Sequence, residues 1–207
     1  MSDLMDAAAA HGAYADARFV HARSEGIATR NGQVDGLHND ESEGIGVRVR
    51  VGGAWGFAAT RQTDRAAAEA ALQRALTIAR AQPAAEATPL APEPPAAGEH
   101  RGGEGTDPFE VPLERKLERL LAADAALGAD KRLTLRQTHF GAFASETVFA
   151  STDGALYDQR TIQCGGGVTV TASEGDEVQV RSFPGSHRGD TMQAGYEHFD
   201  GLPLVAE

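Results

Sequence analysis

Hydrophobic and polar positions alternate along this chain with two different periods, and each change of period marks a change of element. Ile45, Val47, Val49 and Val51 alternate with Gly46, Arg48 and Arg50, the two-residue period of a strand with one face inward and the other in water. Gly52-Gly53 turns that strand into another over 54–60. There, in Gly53-Ala54-Trp55-Gly56-Phe57-Ala58, alternation puts Trp55 and Phe57 on one face and Gly56 on the other. Large aromatic side chains usually serve packing, so Trp55 is expected to anchor the core against the following helix; Trp55→Ala would then cost about 3–5 kcal/mol. A surface that meets a partner or substrate is the alternative. From Thr63 or Asp64 the period lengthens, with Ala68, Leu72, Leu76 and Ala79 on one stripe of a helix that runs to about Ala81 and is stopped by Pro83.

Before these elements, a short helix is predicted from Asp3 to about His11, capped by Ser2 or Asp3. Strands follow over 14–23 and 26–30. Asn31-Gly32 is a strong hairpin signal because both residues accept positive φ. The second half repeats the scheme. Pro112 suits the start of a helix, and Leu113, Leu117, Leu120 and Leu121 form its stripe, ending before Gly128. Strands are predicted around 132–140, 143–151, 155–163, 167–173 and 177–183, with turns at Asp153-Gly154 and Glu174-Gly175. The sequence around Gly46-Val47-Arg48-Val49 is echoed at Gly167-Val168-Thr169-Val170, through duplication or through two meanders obeying the same turn chemistry.

Seven of the nine prolines lie within residues 83–112, which read as a linker or extended surface loop. The fold expected is α+β, in two lobes, each a helix packed on a mainly antiparallel meandering sheet. Residues 1–82 form the first, 83–112 the Pro/Gly-rich linker and 113–207 the second. The linker should be the preferred site of proteolytic cutting.

Composition narrows the function. The net charge of −11 argues against nucleic acid, since phosphate binding needs a concentrated basic face. The start of the chain lacks the positive region and apolar length of a signal peptide, and no apolar run is long enough for a membrane span. A lone cysteine, Cys164, cannot form an internal disulfide, which argues against an oxidised secreted scaffold, and a cytoplasmic protein is expected.

Chemistry-bearing motifs are sparse. Gly44-x-Gly46 and Gly165-Gly166-Gly167 lead into strands rather than helices, so they read as bulges or tight strand openings and not as phosphate loops. The seven histidines, His11, His21, His38, His100, His139, His187 and His198, never come closer than ten residues, whereas zinc sites usually draw two ligands from one local element. Cys164 reads as a small buried hydrophobe rather than a nucleophile. Arg188-Gly189-Asp190 reads as an exposed turn. No catalytic, cofactor-binding or metal-binding residue is assigned.

A resemblance emerges from the ordered set of segments. Tyr14-Ala15-Asp16-Ala17-Arg18, Arg30-Asn31-Gly32-Gln33-Val34, Gly44-Ile45-Gly46-Val47-Arg48-Val49 and Gly53-Ala54-Trp55-Gly56-Phe57-Ala58 resemble the opening of TldD/PmbA proteins, the last favouring the TldD side. Thr77-Ile78-Ala79-Arg80, Asp107-Pro108-Phe109, Ser151-Thr152-Asp153-Gly154 and Ala194-Gly195-Tyr196-Glu197 continue the likeness. The resemblance implies a non-catalytic first and central domain of a zinc metallopeptidase acting on unfolded or flexible peptides. It also implies a homo- or heterodimer with a TldD/PmbA-type subunit that encloses a chamber. The family's metal motif, His-Glu-x-x-x-His, has no counterpart here, because no His-Glu dipeptide occurs. The chain alone is therefore expected to hold no cofactor and to cleave no peptide, with zinc belonging to a C-terminal catalytic domain. The apolar end, Leu202, Leu204 and Val205, suggests a reading frame that continues into that domain. A stand-alone peptide- or partner-binding module is the alternative.

Overall fold

A computed structural model describes residues 1–12, 14–83, 89–91 and 94–204. The elements in chain order are α1 (Ser2–Ala9), β1 (Tyr14–Arg30), β2 (Gln33–Val51), β3 (Ala54–Thr60), α2 (Arg65–Ala81), β4 (Ala97–Gly102), α3 (Leu113–Leu127), β5 (Leu133–Ser151), β6 (Leu156–Glu174), β7 (Glu177–Phe183), β8 (Asp190–Met192) and α4 (Tyr196–Gly201). Strands pair in the order β3-β2-β1-β5-β6-β4, with β7 and β8 also pairing β6. Helices with an antiparallel sheet make the fold α+β, as expected.

Several strands are longer than the hydrophobic pattern predicts. The segments 14–23 and 26–30 are one strand, as are 132–140 with 143–151 and 155–163 with 167–173. The turn at Asn31-Gly32 takes positive φ at both residues, 47° and 80°, as the hairpin signal requires. The chain forms two compact units, each drawn from three stretches. Unit 1 comprises Met1–Ala22, Ser42–His100 and Ser145–Arg160; unit 2 comprises Arg23–Glu41, Arg101–Ala144 and Thr161–Glu207. The long strands β1, β2, β5 and β6 each give residues to both. Part of the segment 83–112 is regular: β4 lies in it, and Asp107 caps a 3₁₀ turn over Pro108–Glu110 by accepting from the Phe109 N–H. Residues 84–88 and 92–93 of that segment, and Val205 of the apolar end, lie outside the described residues.

In unit 1, α2 starts as its sequence predicts. Asp64 accepts from the Ala67 N–H at 2.9 Å, satisfying one of the free donors of the first turn. The stripe Ala68, Ala71, Leu72, Ala75, Leu76 and Ala79 is buried against Ile45, Val47 and Val49 of β2 and Ala58 of β3, within one core cluster. Burying Leu72 and Leu76 is worth about 1.5–3 kcal/mol each. Helix α1 begins one residue earlier than predicted, so Ser2 and Asp3 sit inside its first turn and no side chain caps it.

In unit 2, the inward face of α3 is rotated from the predicted stripe. Lys116, Leu120, Ala123 and Asp124 are buried, Leu117 is half-buried and Leu113 is exposed. Lys116 can point inward because its Nζ donates to Glu25 Oε2 at 2.6 Å and stands 5.1 Å from the centre of the Phe140 ring. Leu202 and Leu204 join this core, with Phe140, Cys164, Tyr196 and Phe199.

Candidate functional site

The outer face of the unit 1 sheet is built by the alternation that fills its core. With Ala15 and Ala17 inward, β1 turns Tyr14, Asp16 and Arg18 outward. With Ile45, Val47 and Val49 inward, β2 turns out Gly44, Gly46, Arg48 and Arg50. The β2–β3 register places Gly46 opposite Ala59, Arg48 opposite Phe57 and Arg50 opposite Trp55, which carries the outer face onto β3.

This register reverses the face expected for Trp55. The residues of β3 that turn inward are Ala54, Gly56 and Ala58, while Trp55 is 39% exposed and Phe57 60%. The cause is the backbone of α2: a Cβ at Gly56 would collide with the carbonyl oxygen of Ala75. The helix lies so close, through its alanines, that no side chain fits beneath it, and the aromatics take the open side.

Where Gly44, Gly46 and Ala59 leave the outer face without bulk, the surface dips into an open hollow of about 650 Å³. Arg18, Arg48, Phe57 and Arg61 stand around it, with Asp16 and Glu43. The Phe57 ring lies over Gly46, where a Cβ would sit 3.2 Å from the ring. Both glycines lie inside β2 rather than at the strand opening expected, and at Gly44 a Cβ would come 2.8 Å from the carbonyl oxygen of Thr60, so that glycine admits close backbone approach.

The polar groups here are ordered. Arg48 donates from Nε and Nη2 to Asp16 Oδ2 at 2.9 and 2.7 Å, and its guanidinium stands 5.0 Å from the centre of the Trp55 ring. The hydrogen bonds that Arg48 donates to Asp16 raise its pKa further above the ordinary value. Tyr14 meets Trp55 edge-on, ring centres 5.8 Å apart. Burial, then the charge of Asp16, pushes the Tyr14 phenol up to about 12. Arg18 is held over the ring of Phe149. Such a surface can bind and orient.

The residues singled out in the sequence elsewhere have other roles. Cys164 is fully buried, and burial pushes its thiol up to about 12, which removes it as a nucleophile. The triplet Gly165, Gly166 and Gly167 lies inside β6, not at a strand opening. A Cβ at any of the three would collide with the backbone of Asp190, His139 or Arg188 and Gly189 respectively, so these glycines admit close backbone approach. Arg188 is exposed, in the turn before β8. Burial, then the charge of Arg188, lowers the pKa of His139. The buried Lys116–Glu25 pair carried no local sequence signal. Among the described residues, no three His, Cys, Asp or Glu side chains group as metal ligands, and no helix is long and apolar enough to cross a membrane.

Comparison with known proteins places these elements. The family description "PmbA/TldA metallopeptidase domain 1" matches residues 15–79, and "PmbA/TldA metallopeptidase central domain" matches residues 106–207. No curated protein matches the sequence. Among similar solved structures is a proposed modulator of DNA gyrase from Bacteroides thetaiotaomicron, with TM-score 0.73 and 17% identity, over 98% of this chain and 45% of that one. Another from Thermotoga maritima gives 0.71 and 13%, over 93% and 42%. TldE from Thermococcus kodakarensis gives 0.68 and 13%, over 91% and 44%. At these identities the likeness is one of fold, and the chain spans under half the length of each.

Proposed function

Since the chain belongs to the TldD/PmbA metallopeptidase family, we propose that it supplies the two non-catalytic domains of a zinc-dependent peptidase acting on flexible peptides. Its partner in this reading is a TldD/PmbA-type subunit, in a homo- or heterodimer. The observation that carries the reading is the open hollow beside Phe57, a surface equipped to hold a chain. The described residues do not fit the zinc that the family implies, for want of a ligand group.

The test is reconstitution. The purified chain is mixed with a TldD/PmbA-type subunit bearing a His-Glu-x-x-x-His helix, and hydrolysis of an unstructured peptide is followed with and without a zinc chelator. Cleavage that needs that subunit and zinc is expected. Cleavage by the isolated chain, undiminished by the chelator, would sink the proposal. A second reading, a stand-alone peptide-binding module, draws on the same exposed aromatics. It gains if the chain binds peptide tightly and forms no complex with such a subunit.

A further inference from the structure

We infer that the hollow on the outer face of β1, β2 and β3 selects an extended peptide segment in which an acidic side chain neighbours an apolar one. The inference names the ligand of the surface invoked above and rests on that reading for its biological setting, though its test does not.

Shape comes first. Gly44, Gly46 and Ala59 form a floor without bulk, and 650 Å³ accommodates side chains of a bound segment rather than a single ion. Phe57 borders that floor and is 60% exposed, an apolar contact left open on one side. Charge decides which segment fits. The chain as a whole carries −11, yet three guanidinium groups, those of Arg18, Arg48 and Arg61, line this hollow against the two carboxylates of Asp16 and Glu43. Asp16 is already tied to Arg48, so it offers a ligand little free negative charge. Arg18 is braced on Phe149. An arginine fork can pair a carboxylate through two donors while the Phe57 ring packs the neighbouring apolar side chain. With Arg48 and Asp16 paired, a basic segment would instead meet the like charges of Arg18 and Arg61 against the single carboxylate of Glu43, in a molecule otherwise suited to attract it.

The experiment uses the intact chain and two labelled peptides, Gly-Gly-Leu-Glu-Leu-Gly-Gly and Gly-Gly-Leu-Lys-Leu-Gly-Gly, followed by fluorescence anisotropy at low and moderate salt. The glutamate peptide should bind about tenfold more tightly than the lysine peptide, with the difference shrinking as salt rises. Ala59→Leu, which fills the floor at an exposed position, should abolish binding. Arg61→Gln, at the solvent-facing rim, should weaken the glutamate peptide about fivefold and tighten the lysine peptide, narrowing the gap between the two. Circular dichroism of both variants verifies folding, and the rim variant carries the test if Ala59→Leu fails to fold. Equal affinity for the two peptides, or an unchanged glutamate affinity in Arg61→Gln, would overturn the inference. So would self-association of the chain that Ala59→Leu removes, because the hollow would then be filled by a second copy. Loss of reconstituted proteolysis with intact peptide selectivity would strike only the functional reading above.

Discussion

Arg48 donates two hydrogen bonds to one oxygen of Asp16 while its guanidinium lies against Trp55, so a single side chain ties a buried carboxylate to an exposed ring. Removing the cation leaves the carboxylate without its ion pair, with the Tyr14 hydroxyl still hydrogen-bonded to it, whereas removing the carboxylate leaves an arginine that water can still solvate. Arg48→Ala should therefore cost about 1–2 kcal/mol, a value lowered by the half-exposure of the arginine, and Asp16→Ala should cost less. Urea unfolding midpoints of the two variants decide the order.

The reversed face of β3 sets a second order. Trp55→Ala removes an edge-on ring contact and cation–π contacts from Arg48 and Arg50 at the surface, a loss of about 1 kcal/mol. Gly56→Ala drives a methyl into the backbone of α2 and should cost about 3 kcal/mol. A tryptophan variant less stable than the glycine variant would contradict the observed register.

Lys116 and Glu25 form a pair with almost no contact with water. Lys116→Ala leaves the carboxylate uncompensated and should destabilise by about 3–5 kcal/mol, while the double variant Lys116→Met with Glu25→Leu should recover most of that loss. Thermal unfolding of the single and double variants checks the cycle. A double variant as unstable as the single one would mean that the pair itself contributes net stability.

High pH should unfold the protein through groups that the fold keeps protonated. Tyr14 is raised from 10.0 to about 12 and Cys164 from 9.0 to about 12, in both cases first by burial. Each folded value lies above its unfolded one, so their contribution is fully present below pH 9 and is lost as the pH rises toward 12. Cys164→Ala should delay the onset of that loss to about pH 10, where Tyr14 begins to act. In the native protein, a thiol reagent should label Cys164 only as fast as the structure opens.

Local patterns disclosed the elements better than their faces. The Asn31-Gly32 turn, the Asp64 cap and the α2 stripe were legible because each depends on neighbours within a few residues. The break predicted between residues 23 and 26 does not exist, since Glu25 is held inside by Lys116, far away in sequence. Gly165, Gly166 and Gly167 likewise suggested an interruption, yet they keep β6 continuous where other backbone presses close. For Trp55, alternation defined two faces without saying which was covered. The available signal was the row of alanines on α2, whose small side chains bring a helix too near for an aromatic ring. The hollow, a consequence of two glycines and one alanine on two strands, could be seen only once the register was known.

The interleaving of the two compact units has a consequence for inheritance. Each unit is assembled from three separate stretches of chain, so a recombination breakpoint within residues 83–112 would hand each product parts of both units and the whole of neither. A gene could not acquire or shed one unit by a single crossover.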